Sequence, residues 1–176
     1  LYGKDLYGEL KLPELLDRLC EIEGLEWIRL LYCYPEHITD ELLAVMAEQE
    51  KIVKYMDIPI QHADGSVLAA MNRPGDEATL RALLAHIRET IPGITLRTTV
   101  MTGFPGEDEA AFETLCRFIQ DMRFERLGCF AFSPEEGTVA ATLPGQLDEK
   151  VKARRRDIVM DTQARIVEEY NAAQVG

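Results

Sequence analysis

Four stretches rich in β-branched and aromatic residues alternate along this chain with stretches whose apolar residues recur at helical spacing. Strands separated by helices are typical of parallel sheets with right-handed crossovers. The alternation therefore predicts an α/β fold in which the strands are parallel, follow one another in chain order and carry helices on the outside. The predicted strands are residues 27–33, 55–60, 95–101 and 126–132.

Capping residues indicate where several helices begin. Thr39 precedes a helical pattern over Asp40–Gln49, and Asp76 precedes a longer one. A single long helix is predicted over Asp148–Ala173. Within it, Arg154–Arg156 interrupt an acidic chain; we interpret them as a solvated helix face, the alternative being contact with the ribosome or with a further domain. The predicted apolar stripe of the long helix consists of Val151, Ile158, Val159, Ile166 and Tyr170.

Every predicted strand ends in a cluster of polar, Gly or Pro residues. In a parallel sheet these clusters share one rim, where barrels and doubly wound sheets bind ligands. No strand is followed by G-x-G-x-x-G, which disfavours a dinucleotide fold and favours a partial barrel. The clusters are Tyr34-Pro35, Gln61-His62, Gly103–Glu107 and Ser133–Thr138.

The side chains that carry out polar catalysis or bind metals are not grouped in the sequence. The four cysteines are dispersed and no C-x-x-C occurs, so neither a zinc nor an iron–sulfur signature is present and no metal ligand is assigned. His62 ends a predicted strand and is a candidate for the rim site, but no nucleophile pairs with a histidine. We therefore assign no catalytic residue and expect a cofactor to carry the chemistry.

Charge and length limit the partners of the chain. Its 176 residues are 47% hydrophobic, which is sufficient for one sizeable core. The net charge of −12 disfavours direct binding of nucleic acid, and it suits either a basic protein partner or simply an acidic surface. No apolar stretch is long enough to span a membrane, and we expect a cytoplasmic protein. The chain begins at Leu1 without a methionine, so we expect it to be a fragment of a longer protein.

A series of short sequence motifs is distributed along nearly the whole chain, in the same order as in one known protein family. They include Tyr2–Glu9, Trp27–Tyr32, Tyr34-Pro35, Ile38–Leu42, Asp57–His62, Met71-x-Arg73-x-Gly75, Ile91–Thr99, Gly103–Glu107 and Phe132–Thr138.

With these motifs the chain resembles the radical S-adenosylmethionine (radical SAM) methylthiotransferase family. Tyr34-Pro35 and Asp57–His62 resemble its RimO type, which methylthiolates the β carbon of an aspartate in a small-subunit ribosomal protein. The transfer-RNA (MiaB) type usually has Ser-His-Pro and Gln-Ser-Gly-Ser at these places and remains the alternative. The relatives often have Ser where this chain has Asp64. Two further classes stay open, namely a βα-barrel enzyme acting on a small molecule and a non-catalytic binding module.

The resemblance implies a fold, a domain order and cofactors. Residues 1–146 would form strands three to six of a partial radical SAM barrel, open and truncated on its N-terminal side. Residues 147–176 would form a helix that leads to a missing TRAM-like domain. The full-length protein would use S-adenosylmethionine and two [4Fe-4S] clusters whose ligands lie upstream, so this fragment alone would be inactive. The expected partners are S-adenosylmethionine and the ribosomal protein or ribosome.

The same resemblance implies which residues bind the cofactor. In this family a reduced cluster cleaves S-adenosylmethionine to a radical that abstracts hydrogen from an unactivated carbon. We expect Arg73 to pair with the methionyl carboxylate and Thr99 to approach the ribose and adenine. Gly103 would let the adenine lie against bare backbone. The expected cofactor-binding residues are Gln61, Arg73, Thr99 and Gly103.

Overall fold

The sheet of this protein has four parallel strands in the order β1-β2-β3-β4. The protein is described by a computed structural model over residues 1–175. The parallel arrangement and the chain-order sequence of strands confirm the prediction from the alternating pattern. The strands are β1 (Ile28–Leu30), β2 (Ile52–Asp57), β3 (Thr95–Thr102) and β4 (Arg126–Ala131).

Two strands differ in extent from their predicted ranges. β1 is shorter, because Tyr32 has a positive φ of 59° and turns the chain away. β2 lies three residues earlier than predicted and ends at Asp57. After it, Pro59 has no N–H to donate to a ladder. The chain rejoins the sheet only at Gln61, which forms an isolated parallel bridge with Val100.

Helices connect the strands, and the two predicted caps are confirmed. The hydroxyl oxygen of Thr39 accepts a hydrogen bond from the N–H of Leu42, and Asp76 forms a capping box with Thr79. Two helices of four residues were not predicted, since one turn shows no periodicity. The helices are α1 (Lys4–Tyr7), α2 (Leu12–Cys20), α3 (Asp40–Glu48), α4 (Gly65–Ala70), α5 (Glu77–Thr90), α6 (Glu109–Met122), α7 (Val139–Thr142) and α8 (Glu149–Gln174), with a short 3-10 helix at Pro35–His37.

The core lies between one face of the sheet and the helices. Along β3, Leu96 and Val100 are fully buried against helical residues such as Leu115 and Phe118. The alternate residues of β3, from Thr95 to Met101, are only partly buried and form the second face. This alternation means that one face of the sheet holds the fold together and the other carries polar side chains.

The long helix α8 buries a different face from the predicted one. Val159 and Ile166 are buried, but Val151 and Ile158 are exposed, so the predicted apolar stripe is only partly correct. The buried face of α8 also includes the polar side chains of Lys152, Arg155, Thr162 and Gln163.

The interpretation of Arg154–Arg156 as a solvated face is wrong for Arg155. Its guanidinium is buried because it pairs with carboxylates of another element. Among residues 1–175, no helix has the length and apolar character needed to cross a bilayer.

Candidate functional site

A groove of about 520 Å³ lies at the carboxyl ends of β2 and β3. Its polar lining includes Gln61 and Arg73, two of the predicted cofactor-binding residues. Its apolar lining includes Met71, Met101 and Phe104. A concave, mostly apolar site with a few polar groups is the usual form of a cofactor-binding pocket.

Gln61 lies in the groove because the backbone around it is held in an unusual conformation. Its φ is +68°, in the left-handed region that few residues other than glycine adopt. Its N–H donates to the carbonyl of Thr99 (2.9 Å), and its carbonyl accepts from the N–H of Met101 (2.8 Å). Backbone strain of this kind concentrates at ligand sites. These bonds also place Thr99 next to Gln61, on the partly exposed face of β3.

Arg73 is placed by the turn that ends α4. Its N–H donates to the carbonyl of Leu68 (2.8 Å). Its guanidinium donates to the carbonyl of Pro59 (3.2 Å) and lies 5.0 Å from the ring centre of Tyr34. Among residues 1–175, its remaining N–H groups donate to no acceptor and can bind a carboxylate.

Asp64 fixes the start of α4, the helix that leads to Arg73. Its carboxylate accepts hydrogen bonds from the N–H groups of Ser66 and Val67. The Ser66 hydroxyl, followed by these backbone groups, lowers the pKa of Asp64. Asp64, at the position where the resemblance leads us to expect serine, is thus a helix N-cap with a charged acceptor.

Gly103 lies against α8, and a side chain at this position would point at Lys152 of that helix. Its φ is +74°, and a Cβ added there would collide with the Cγ of Lys152 and lie 2.8 Å from the Lys152 Cβ. The glycine is therefore required by the close approach of α8. Whether Gly103 also contacts a cofactor stays a prediction.

The carboxylate of Glu107 joins the strand ends to α8. It is buried, accepts from the N–H of Gly103 (2.8 Å) through Oε2, and accepts from Arg155 (2.8 Å) through Oε1. Arg155 also donates to the Glu107 carbonyl (2.8 Å) and to Glu109 (2.9 Å). The burial of Arg155 was not predicted, because its partners lie almost 50 residues away in the sequence.

His62 belongs to the same buried cluster. Its Nδ1 accepts from the N–H of Asp64 (3.0 Å), which assigns the ring proton of the neutral imidazole to Nε2. Nε2 lies 3.4 Å from Oε2 of Glu107. His62 is fully buried, so the structure gives it a role in supporting the strand ends and does not expose it to the groove.

The cysteines are poorly suited to bind metal. Burial raises the pKa of Cys33 and of Cys116 to about 11 and that of Cys129 to about 12. Thiols with such values are protonated near neutral pH, whereas metals bind the thiolate. Among residues 1–175, no three His, Cys, Asp or Glu side chains are grouped as metal ligands.

Comparison with protein families decides the superfamily. The family model of the Radical SAM superfamily matches residues 3–119 of the chain, which is more than half of its length. The chain belongs to the radical SAM superfamily. The predicted resemblance to this superfamily is thereby confirmed, and the groove described above lies within the matched residues except for its α7 side.

Curated relatives of this radical SAM chain include methylthiotransferases. It is 49% identical over 175 residues to a protein of Desulfitobacterium hafniense, covering 99% of this chain and 39% of the relative. It is 50% identical over 175 residues to one of Moorella thermoacetica, covering 99% and 40%. Both are named ribosomal protein uS12 methylthiotransferase RimO, which confirms the resemblance to the RimO type. The radical SAM chain thus spans about two-fifths of the length of these relatives.

Solved structures show the same fold. Coproporphyrinogen III oxidase (HemN) of Escherichia coli matches with a TM-score of 0.62 at 20% identity, over 81% of this radical SAM chain and 32% of that one. The methyltransferase TsrM of Kitasatospora setae, solved with cobalamin and a [4Fe-4S] cluster, matches with a TM-score of 0.55 at 17% identity, over 68% and 24%. At these identities the likeness concerns the fold alone, and it confirms the predicted radical SAM type of partial barrel.

Proposed function

We propose that this chain is part of an enzyme that adds a methylthio group to the β carbon of an aspartate in ribosomal protein uS12. The observation that carries the proposal is the identity of 49% over 99% of the chain to a relative of that name. Identity of this extent over the whole chain supports this function over a small-molecule barrel enzyme or a binding module. A protein that modifies a ribosomal protein would work in the cytoplasm.

The groove fits S-adenosylmethionine in its chemistry. The cofactor has a charged amino-acid end and a largely apolar nucleoside end, and the groove combines a guanidinium with Met101 and Phe104. We propose that Arg73 binds the methionyl carboxylate and that Gln61 orients the same cofactor. Thr99 and Gly103 would complete the site, Gly103 through its backbone, since Lys152 fills the space beside its Cα.

S-adenosylmethionine and a reduced [4Fe-4S] cluster supply the radical chemistry of this superfamily when bound. The role of this chain would be to position the bound cofactor and to enclose it. The charge of Arg73 fixes one end of the cofactor, because the guanidinium is itself held by the Pro59 carbonyl. Met71, Met101 and Phe104 would cover the apolar part of a bound cofactor and limit its contact with water, which protects reactive species from side reactions.

We further propose where the rest of the enzyme lies. The ligands of two [4Fe-4S] clusters would be upstream of Leu1, since the cysteines of this chain are dispersed and, among residues 1–175, are not grouped as metal ligands. Residues 1–146 would be strands three to six of the barrel with their helices. Residues 147–176, which contain the whole of α8, would connect to a TRAM-like domain.

The test is a modification assay with the full-length protein that contains this chain. Purified, cluster-loaded protein is incubated with S-adenosylmethionine, a reductant, a sulfur source and either uS12 in the ribosomal subunit or transfer RNA. Mass spectrometry of uS12 peptides should show the mass of one added methylthio group on an aspartate. A methylthio group on transfer RNA alone would transfer the assignment to the transfer-RNA type. Modification of neither would refute both.

A further inference from the structure

The second face of the sheet carries a row of charged side chains below the groove. Asp57 of β2 is in register with Arg97 of β3, and Arg97 is in register with Arg126 of β4. Arg29 of β1 lies at the same depression, which has a volume of about 770 Å³. Three guanidiniums from three strands thus face one concavity of a chain whose net charge is −12.

Arg97 and Asp57 form an ion pair that is incompletely satisfied. The Arg97 Nη1 donates to the Asp57 Oδ2 at 3.0 Å, and the Asp57 side chain is 2% exposed. The other carboxylate oxygen, Oδ1, has no hydrogen-bond partner among residues 1–175. Burying a carboxylate costs free energy that a single bond repays poorly, so this pair is a weak source of stability. Its presence on the open face favours a role in binding.

The guanidinium of Arg97 is both oriented and available. Its side chain is 41% exposed, and within the described part of the chain its Nε and Nη2 donate to no acceptor. The two other arginines are engaged differently. The guanidinium carbon of Arg29 lies over the Tyr55 ring, 3.7 Å from its centroid, and Arg126 donates to the carbonyl of its neighbour Glu125. Arg97 is therefore the member of the row that presents a fixed, planar pair of donors to the concavity.

Arg97 also lies at the correct level of the barrel. It is two residues before Thr99 on the same face of β3, hence about 7 Å below it along the strand. Thr99 in turn is bonded to Gln61 in the groove. A group bound by Arg97 would therefore lie directly beneath the cofactor that we place in the groove.

We propose that Arg97, oriented by Asp57, binds the carboxylate of the substrate aspartate and so determines the specificity of the enzyme for that residue. This inference rests on the proposed function, in which the reacting carbon is bonded to a carboxylate carbon. A guanidinium fork is the protein group best matched to a carboxylate, because it donates two parallel hydrogen bonds. The chemical class of ligand assigned to this face is thus a carboxylate on a basic protein.

The test measures binding and modification with two forms of uS12. One form is native and the other has asparagine in place of the modified aspartate. Full-length wild-type protein should bind the native form about ten- to a hundredfold more tightly, the range for a hydrogen-bonded charged group. Arg97→Gln should lose this preference, while its affinity for the asparagine form and for S-adenosylmethionine stays unchanged. Arg117→Gln, an exposed arginine on α6, is the matched control and should keep the preference.

Two further variants guard against misfolding, since Arg97→Gln leaves Asp57 buried without its partner. Arg97→Lys keeps the charge but loses the fork, and it should retain only part of the preference. The double variant Asp57→Asn, Arg97→Gln leaves no unpaired charge at this position. It should fold and should lose the preference for the aspartate form of uS12 completely. A purely structural role would lower the affinity for both forms of uS12 equally.

The outcomes separate this inference from the proposed function. If wild-type protein methylthiolates uS12 but Arg97→Gln and the double variant still prefer aspartate, the proposed function stands and Arg97 is not the carboxylate ligand. If wild-type protein does not modify uS12, both the proposed function and this inference fall.

Discussion

Glu107 shows how much one side chain can hold together in this protein. Its carboxylate accepts from the backbone of Gly103 and from Arg155 of α8, and it lies 3.4 Å from the imidazole of His62. A buried carboxylate that accepts hydrogen bonds from two separate segments fixes their relative positions. The residues that line the groove are therefore positioned by residues that do not reach it.

Arg73 is the residue whose proposed role is most directly testable. In the full-length protein, Arg73→Ala should weaken the binding of S-adenosylmethionine by about ten- to a hundredfold, because a hydrogen-bonded charged pair is lost. Calorimetry measures the affinity, and iron analysis should show unchanged cluster content. Arg117→Ala on the exposed side of α6 is the control. An unaltered affinity in Arg73→Ala would remove Arg73 from the site.

The buried thiols give a prediction about pH. Burial raises the pKa of Cys129 to about 12 and that of Cys116 to about 11, from 9.0. The folded protein holds these protons more tightly than the unfolded one. Their contribution to the free energy of unfolding is therefore fully present below pH 9.0 and is lost as the pH rises towards about 12. We expect the alkylation of Cys129 at pH 8 to be much slower than in the same protein unfolded in urea. Equal rates in the two states, measured by peptide mass spectrometry, would contradict the assigned burial.

At the scale of elements, α8 is attached to the barrel through polar as well as apolar contacts. Lys152 packs on Gly103, Arg155 pairs with Glu107, and Gln163 donates to the Phe124 carbonyl at 2.8 Å. Such contacts have directional requirements that apolar packing lacks. They therefore fix where along the barrel this helix lies.

Neighbouring arginines of α8 offer a matched test of this attachment. Arg155→Ala should lower the free energy of unfolding by about 3–5 kcal/mol, since Glu107 would remain buried without its partner. Arg154→Ala, one residue earlier and exposed, should change it by less than about 0.5 kcal/mol. Urea titration of both variants provides the comparison. Similar stabilities for the two would mean that the ion pair does not hold α8.

A pair of glycines separates backbone strain from helix contact. Gly103 and Gly93 have φ values of 74° and 79°, but only Gly103 faces another side chain within 4 Å. Gly93→Ala should cost about 1–2 kcal/mol, the cost of a left-handed backbone. Gly103→Ala should cost distinctly more, because Lys152 and α8 must move. Thermal unfolding measures both, and equal losses would argue against a close approach of α8.

Local signals predicted the elements of this fold better than the contacts among them. The caps at Thr39 and Asp76 and the order of the strands follow from short stretches of sequence, and all are confirmed. The burial of Arg155 and Lys152 could not be predicted, because it depends on contacts with Glu107 and Gly103, which are distant in the sequence. The same holds for the candidate site. The sequence correctly suggested that Gln61 and Arg73 lie near each other, and both line the groove, but it did not show that α8 occupies the space beside Gly103.

At the scale of the whole molecule, the net charge of −12 bears on the choice of substrate. Ribosomal proteins that contact RNA carry positive charge, so we expect the field of this chain to favour such a substrate over transfer RNA. We expect the association rate of the full-length protein with uS12 to fall as the ionic strength rises from about 50 to about 500 mM. Over this range salt increasingly screens the attraction between the two proteins. Stopped-flow fluorescence measures the rate, and a rate independent of salt would show that the charge does not guide association.

The attachment of α8 has a mechanical consequence. A helix of 26 residues is a stiff rod about 39 Å long. Because α8 makes directional contacts at Lys152, Arg155 and Gln163, sliding or rolling of the helix against the sheet would break them. One of these connections runs from Arg155 through Glu107 to the turn that contains Gly103, and another runs from Gln163 to Phe124. A force on the far end of α8 would therefore also act on the turn that contains Gly103, close to the strand ends where the groove lies.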